Sequence, residues 1–253
     1  MLVAAHTDVG IRKKVNQDSL LVREAQLQGG SEVLLAAVCD GMGGLTNGEV
    51  ASKEAVNCLS YWFDSSLPEL LTEGVSNNNL KKSLNLAILD ADDKLGEFSY
   101  KEGECGTTLA GLFLYNGKYA CVNVGDSRVY QIHENEIVQL THDQTLVQRE
   151  IDEGTMTPQE AEKSPNRSVL LQCIGAGGDM VPDYTFGEYV KGDVFLLCSD
   201  GFRHKIKSEQ MMEMFAPAAM TDEEKMKETA FAAVELNKYR KEKDNISVIA
   251  IKA

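Results

Sequence analysis

Three apolar runs in this chain end in an aspartate with glycine or a hydroxyl residue beside it. One reads Ala36-Ala37-Val38-Cys39-Asp40-Gly41-Met42-Gly43-Gly44, a second Leu196-Leu197-Cys198-Ser199-Asp200-Gly201, and a third Asn123-Val124-Gly125-Asp126-Ser127-Arg128. Asp244-Asn245 stands just ahead of a fourth apolar run, and Asp8-Val9-Gly10 with Asn16-Gln17-Asp18 frames the first turn. Carboxylates at strand ends are held in place by a rigid sheet. Hard divalent cations such as Mg²⁺ and Mn²⁺ prefer oxygen ligands and keep several waters. A glycine after the aspartate lets the backbone approach an ion, so its carbonyl can serve as a ligand. Several carboxylates gathered in one place repel one another unless counter-ions join them. A single Asp-Gly after a strand is ordinarily a turn. The recurrence points to an oxygen-ligand metal site, and the turn reading stays open on pattern alone.

The elements that would position these residues are legible as hairpins. Apolar runs at 19–25 and 33–39 flank Gly29-Gly30, and runs at 108–115 and 119–124 flank Asn116-Gly117, a strong two-residue hairpin signal. Runs at 128–132 and 137–140 form a third pair, and 194–198 and 246–251 read as later strands. The runs are too continuous for a sheet with one wet face, so both faces should be covered. Helical spacing marks 49–63, 80–98 behind a cap-like Asn77–Asn79 cluster, and 222–239 behind Thr221 as N-cap with Glu224 three residues on. Grouped helices and predominant hairpins favour an α+β sandwich over a βαβ array. The polar stretch 144–168, with Gly154, Pro158 and Pro165, stands apart. It reads as an excursion with short helices at 146–152 and 158–163, either a surface insertion or a flap beside a site.

Composition narrows the class. The 253 residues carry 39 acidic and 25 basic side chains, a formal net charge of −14, which argues against non-specific binding to nucleic acid or to an anionic membrane. A hydrophobic share of 43% belongs to a globular chain that can bury a core. No apolar run approaches the ~18 residues of a transmembrane helix, and Met1 to Gly10 has no signal-peptide pattern. The six cysteines show no C-x-x-C pairing and read as buried thiols of a reducing cytoplasm. With no linker or repeat, residues 1–253 are expected to form one domain, a monomer in the cytoplasm with no appended anchor or regulatory segment.

The order of motifs adds a resemblance. Asp8-x-Gly10 with Asn16-Gln17-Asp18-Ser19, Val38-Cys39-Asp40-Gly41-Met42-Gly43-Gly44, Gly106-Thr107-Thr108-Leu109, Val124-Gly125-Asp126-Ser127-Arg128-Val129-Tyr130, Leu140-Thr141-x-Asp143, Ser199-Asp200-Gly201 and Asp244-Asn245-Ile246-Ser247 follow one another from residue 6 to residue 251. In this order they resemble the metal-dependent type 2C protein phosphatases, above all the short bacterial members. The resemblance implies a four-layer αββα sandwich, two antiparallel β-sheets flanked by helices, with a small flap at 144–168 and metals in a cleft at one end. It implies hydrolysis of phosphoserine and phosphothreonine by direct attack of a water or hydroxide bridging two Mg²⁺ or Mn²⁺ ions. Partners would be phosphoproteins and a cognate Ser/Thr kinase.

Carried over by position, the resemblance makes Asp40 the bridging ligand and gives Gly41 a carbonyl ligand. Asp200 and Asp244 would complete the first metal site, and Asp18 would act near the second, through water. Asp126 with Asp200 would match a third, weaker ion. Two departures stand out. The family's phosphate-clamping arginine, five places ahead of Asp18, is Lys13 here, with Arg12 beside it, so either could hold the phosphate. Met42 follows the Asp-Gly where some eukaryotic members carry a histidine, so no side-chain general acid is expected there. Gln17 stands where many relatives have glutamate. Arg128 is expected to pair structurally, Trp62 to lie in the core, and Ser65, Ser66 and Ser76 to be loop residues. A same-fold phosphatase for another phosphorylated regulator or a small ester, and an inactive binding module, are the alternatives. Retention of Asp40, Asp126, Asp200 and Asp244 disfavours the inactive module.

Overall fold

The computed structural model describes residues 1–27, 29–42, 47–178 and 180–253. Gly43 and Gly44 of the Asp40 motif lie outside the described residues. Among the described residues ten strands form two five-stranded antiparallel sheets. One sheet runs β1(Leu2–Asp8), β10(Ile246–Lys252), β9(Val194–Cys198), β6(Arg128–His133), β7(Glu136–Gln139). The other runs β2(Asp18–Gln26), β3(Glu32–Asp40), β4(Leu109–Tyr115), β5(Lys118–Val124), β8(Asp183–Glu188). Helices α1(Gly48–Ser65) and α3(Asn77–Glu102), with the short α2(Leu67–Glu73), cover the β2–β3 side, and α8(Glu223–Tyr239) covers β1 and β10.

The side-chain alternation of single strands builds this layering. On β3, Leu34, Ala36 and Val38 meet Phe195, Leu197, Ile249 and Ile251 of the opposite sheet. Val33, Leu35, Ala37 and Cys39 point the other way, into a core with Ala55, Leu59, Trp62, Leu84 and Ile88 of α1 and α3. On β9 and β10, Leu196, Cys198, Val248 and Ala250 pack with Met226, Ala230 and Val234 of α8. Two buried faces explain why these strands read as unbroken apolar runs, and each large side chain so buried contributes roughly 1.5–3 kcal/mol. Trp62 lies in the core, with its indole N–H donating to Ser83 Oγ at 2.7 Å. All six cysteines are buried free thiols.

The hairpin expected at Asn116-Gly117 joins β4 to β5, with φ of 47° and 73° at the two residues, the left-handed pair a tight primed turn requires. Corrections fall at helix starts and at a sheet edge. Ser76, expected in a loop, is the N-cap of α3, in a reciprocal capping box with Asn79. Asp222, not Thr221, caps α8, because its carboxylate accepts from the Lys225 amide at 2.9 Å while the Thr221 hydroxyl donates to it. The edge strand β8 gave no apolar run because it is only half buried. Residues 144–168 hold α4(Leu146–Asp152) and a shorter α5(Pro158–Ala161), capped by Thr145 and Thr157. Two more short helices, α6(Asp200–Arg203) and α7(Ser208–Met214), follow β9. Among the described residues no helix is long and apolar enough to cross a membrane.

Candidate metal centre

Antiparallel register brings the aspartate motifs to one end of the sandwich. Asp40 ends β3 and Asp18 begins β2, and the two are direct partners across that hairpin. Asp200 opens α6 straight after β9, Asp244 stands two residues before β10, and Asp126 lies in the turn between β5 and β6. The pairings of Cys198 with Val248 and with Arg128 put the ends of β9, β10 and β6 side by side at this same end.

Hydrogen bonds hold the approach in detail. The Asp40 amide donates to Thr108 Oγ1 at 3.0 Å, and the Thr108 amide donates to the Asp40 carbonyl at 2.9 Å. Asn245 ties the loop after β1 to the start of β10. Its Oδ1 accepts from the Gln17 amide at 2.9 Å, and its Nδ2 donates to the Val9 and Val15 carbonyls. Two motif glycines are there for close approach. A Cβ on Gly41 would sit 2.1 Å from the Gly48 carbonyl oxygen, and one on Gly201 would sit 2.0 Å from that of Asn245. Side chains at either place would push the Asp40 and Asp200 loops off their neighbours.

The carboxylates are crowded. Burial pushes the Asp40 carboxyl well above its usual pKa, and the charges of Asp18, Asp200, Asp126 and Asp244 add to the rise. Asp18 is pushed up to about 7 by burial, against hydrogen bonds from Ser247 and Ser199 and with Asp200 and Asp244 raising it further. Those serine hydroxyls donate to Asp18 Oδ2 at 2.6 and 2.9 Å, while Asp18 Oδ1 is buried with no partner among the described residues. A buried carboxylate oxygen among like charges suits a cation or its water as partner. The donors are all hard oxygens, which fits Mg²⁺ or Mn²⁺. Among the described residues no three acidic, histidine or cysteine side chains close into a ready cage. Mg²⁺-type sites are commonly like this, with one or two carboxylates and the remaining positions left to water and substrate.

Of the two basic candidates, Lys13 reaches the centre. Its Nζ lies 2.7 Å from Asp244 Oδ1, and although burial opposes it, Asp244, Asp40 and Asp200 hold its pKa above the usual value. Arg12 is exposed. Arg128 pairs structurally, its Nε and Nη2 donating to Asp143 at 2.7 and 2.6 Å.

Sequence reasoning left several partners without a role. Ser199, Ser247 and Thr108 were inside the motifs but stood there only as spacing. His204, one helical turn beyond Asp200, lies 3.4 Å from its carboxylate and 3.6 Å from Glu242. The i, i+4 offset was the available signal. Arg203 reaches Asp126 across 77 residues, for which no local signal exists.

Comparison with known proteins agrees with this arrangement. The family model for protein phosphatase 2C matches residues 7–236. Serine/threonine protein phosphatase PstP of Mycobacterium tuberculosis is 32% identical over 213 residues, 83% of this chain, and the match spans only 38% of that longer protein. Protein phosphatase PhpP of Streptococcus pneumoniae is 30% identical over 85% of this chain and 84% of its own length. The crystal structure of the PstP catalytic domain in complex with two manganese ions superposes with a TM-score of 0.77 at 28% identity, covering 98% of this chain and 96% of that one. By the family match and by its sandwich, this chain belongs to the protein phosphatase 2C family.

Proposed function

We propose that this chain is a metal-dependent protein serine/threonine phosphatase whose catalytic unit spans residues 1–253 and binds two divalent ions. The observation that carries the reading is the gathering of Asp18, Asp40, Asp200 and Asp244 at one end of the sandwich, with Lys13 on its rim. The manganese-bound PstP structure supports the choice of ion, Mn²⁺ or Mg²⁺.

Asp40 and the Gly41 carbonyl would help hold both ions, and Asp200 and Asp244 would help hold the first. Asp18, with one oxygen committed to Ser199 and Ser247, would offer the other to the second site. When bound, the ions supply the charge that activates water and neutralises the phosphoryl oxygens. Lys13 orients the phosphate as a point charge, without the bidentate fork of an arginine. Thr108 and Asn245 fix the loops that carry the carboxylates. No side-chain nucleophile takes part, so no phosphoenzyme forms.

Substrates are phosphoproteins, with a cognate Ser/Thr kinase as the opposing activity, and the enzyme acts as a monomer. Six buried free thiols favour the cytoplasm. Phosphate release from a phosphothreonine peptide tests the reading. Turnover should require Mn²⁺ or Mg²⁺ and stop on adding EDTA. Undiminished turnover in EDTA would overturn it.

A further inference from the structure

Asp126 is paired with an arginine that lies in the interior. Arg203 Nη2 donates to Asp126 Oδ2 at 2.9 Å and to the Asp126 backbone carbonyl at 3.0 Å. The same guanidinium lies 3.4 Å from Asp143 Oδ2, and both oxygens of Asp143 accept from the fork of Arg128. Charges therefore alternate in a row, Arg128, Asp143, Arg203, Asp126. The pair is an interior one, with side chains 14% and 9% exposed, whereas Lys13 and Asp244 meet at the rim with 33% and 38% exposed and can part. Asp200 and Arg203 are the first and last residues of α6, so the turn that aims Asp200 at the centre also delivers the guanidinium.

We propose that Arg203 is the built-in counter-cation of Asp126 and occupies the place that the resemblance assigns to a third metal ion, so that no third ion binds there. One carboxylate oxygen and the backbone carbonyl of Asp126 are both taken by Nη2. An ion at the remaining oxygen would sit within a few ångströms of a buried guanidinium that cannot give up its proton. To bind at both oxygens it would have to expel Arg203 from Asp126 and leave the guanidinium only Asp143, which Arg128 already engages.

The inference rests on the two-ion reading, and one experiment separates the two. Metal-free protein is dialysed against increasing Mn²⁺, and bound ion per folded chain is counted by elemental analysis. The wild-type count tests the two-ion reading, and the difference between wild type and variants tests Arg203. Arg203→Ala should bind one ion more than wild type, Arg203→Lys should not, and Arg203→Ala/Asp126→Asn should lose the gain. Asp126→Asn alone, which keeps an acceptor for Arg203, should leave the wild-type count unchanged and guards against misfolding of the alanine variant. A folded Arg203→Ala with no added ion, or a wild-type ion lost in Asp126→Asn, would overturn the proposal.

Discussion

Ser247 on β10 donates its hydroxyl to Asp18 Oδ2 on β2 at 2.6 Å and so ties the two sheets together at the metal end. Ser199, after β9, donates to the same oxygen at 2.9 Å, and its Oγ accepts from the Ser247 amide at 3.1 Å. The carboxylate that the proposed second ion needs is thus aimed from the opposite sheet. Ser247→Ala removes a donor to a buried charged group and should destabilise the Mn²⁺-loaded protein by about 1.5–3 kcal/mol. Urea unfolding measures this, and an unchanged midpoint would deny the serine its role.

Asp40→Asn should act in opposite directions with and without metal. It removes a carboxyl whose ionised form is disfavoured by burial and by the charges of Asp18, Asp200, Asp126 and Asp244. In EDTA the variant should melt higher, by ~2–4 °C for each kcal/mol of desolvation and repulsion relieved. With Mn²⁺ its melting rise should shrink and its turnover fall by about 100-fold or more, as when a main electrostatic stabiliser is removed. A lower melting point in EDTA would contradict the crowding argument.

Lys13 and Arg12 are adjacent in sequence but not equivalent in space. Lys13→Ala should raise KM for a phosphopeptide more than Arg12→Ala does, because only Lys13 lies against the carboxylates. Steady-state kinetics at saturating Mn²⁺ decides, and the reverse ranking would move the clamp to Arg12.

Asp143 sets an acid limit on stability. Burial alone would raise its pKa, but the hydrogen bond from Arg128 and the charges of Arg203 and Arg128 hold it below the usual carboxylate range. A depressed carboxyl contributes stability that is present above the unfolded pKa, about 3.9, and is lost as pH falls through the folded value. The wild type should therefore lose this contribution below about pH 4. Asp143→Asn should cost about 3–5 kcal/mol at neutral pH, by stranding Arg128, and should show a shallower loss in acid. Equilibrium unfolding across pH measures both.

Much of the sandwich could be read along the chain because its signals are local. Asn116-Gly117 carries its turn signal in two adjacent residues, and the unbroken run 33–39 marks a strand covered on both faces. Edge strand β8 carries no such run, and Ser76 competes for the cap with neighbours of similar chemistry, so both needed the packed chain to be seen. The aspartate motifs are legible for the same reason as the turns, since each is a strand end and its next few residues.

By itself the sequence determined which carboxylates sit at strand ends, which glycines accompany them, and that the sheets are covered on both faces. Only the tertiary structure decided what each carboxylate meets. Asp18 finds its donors 181 and 229 residues away, Lys13 rather than Arg12 faces Asp244, and Asp126 is answered by Arg203 across 77 residues. The physical reason is range. Turns and strand alternation are set by neighbours in the chain, whereas compensation of a buried charge depends on whichever group the fold brings within about 3 Å.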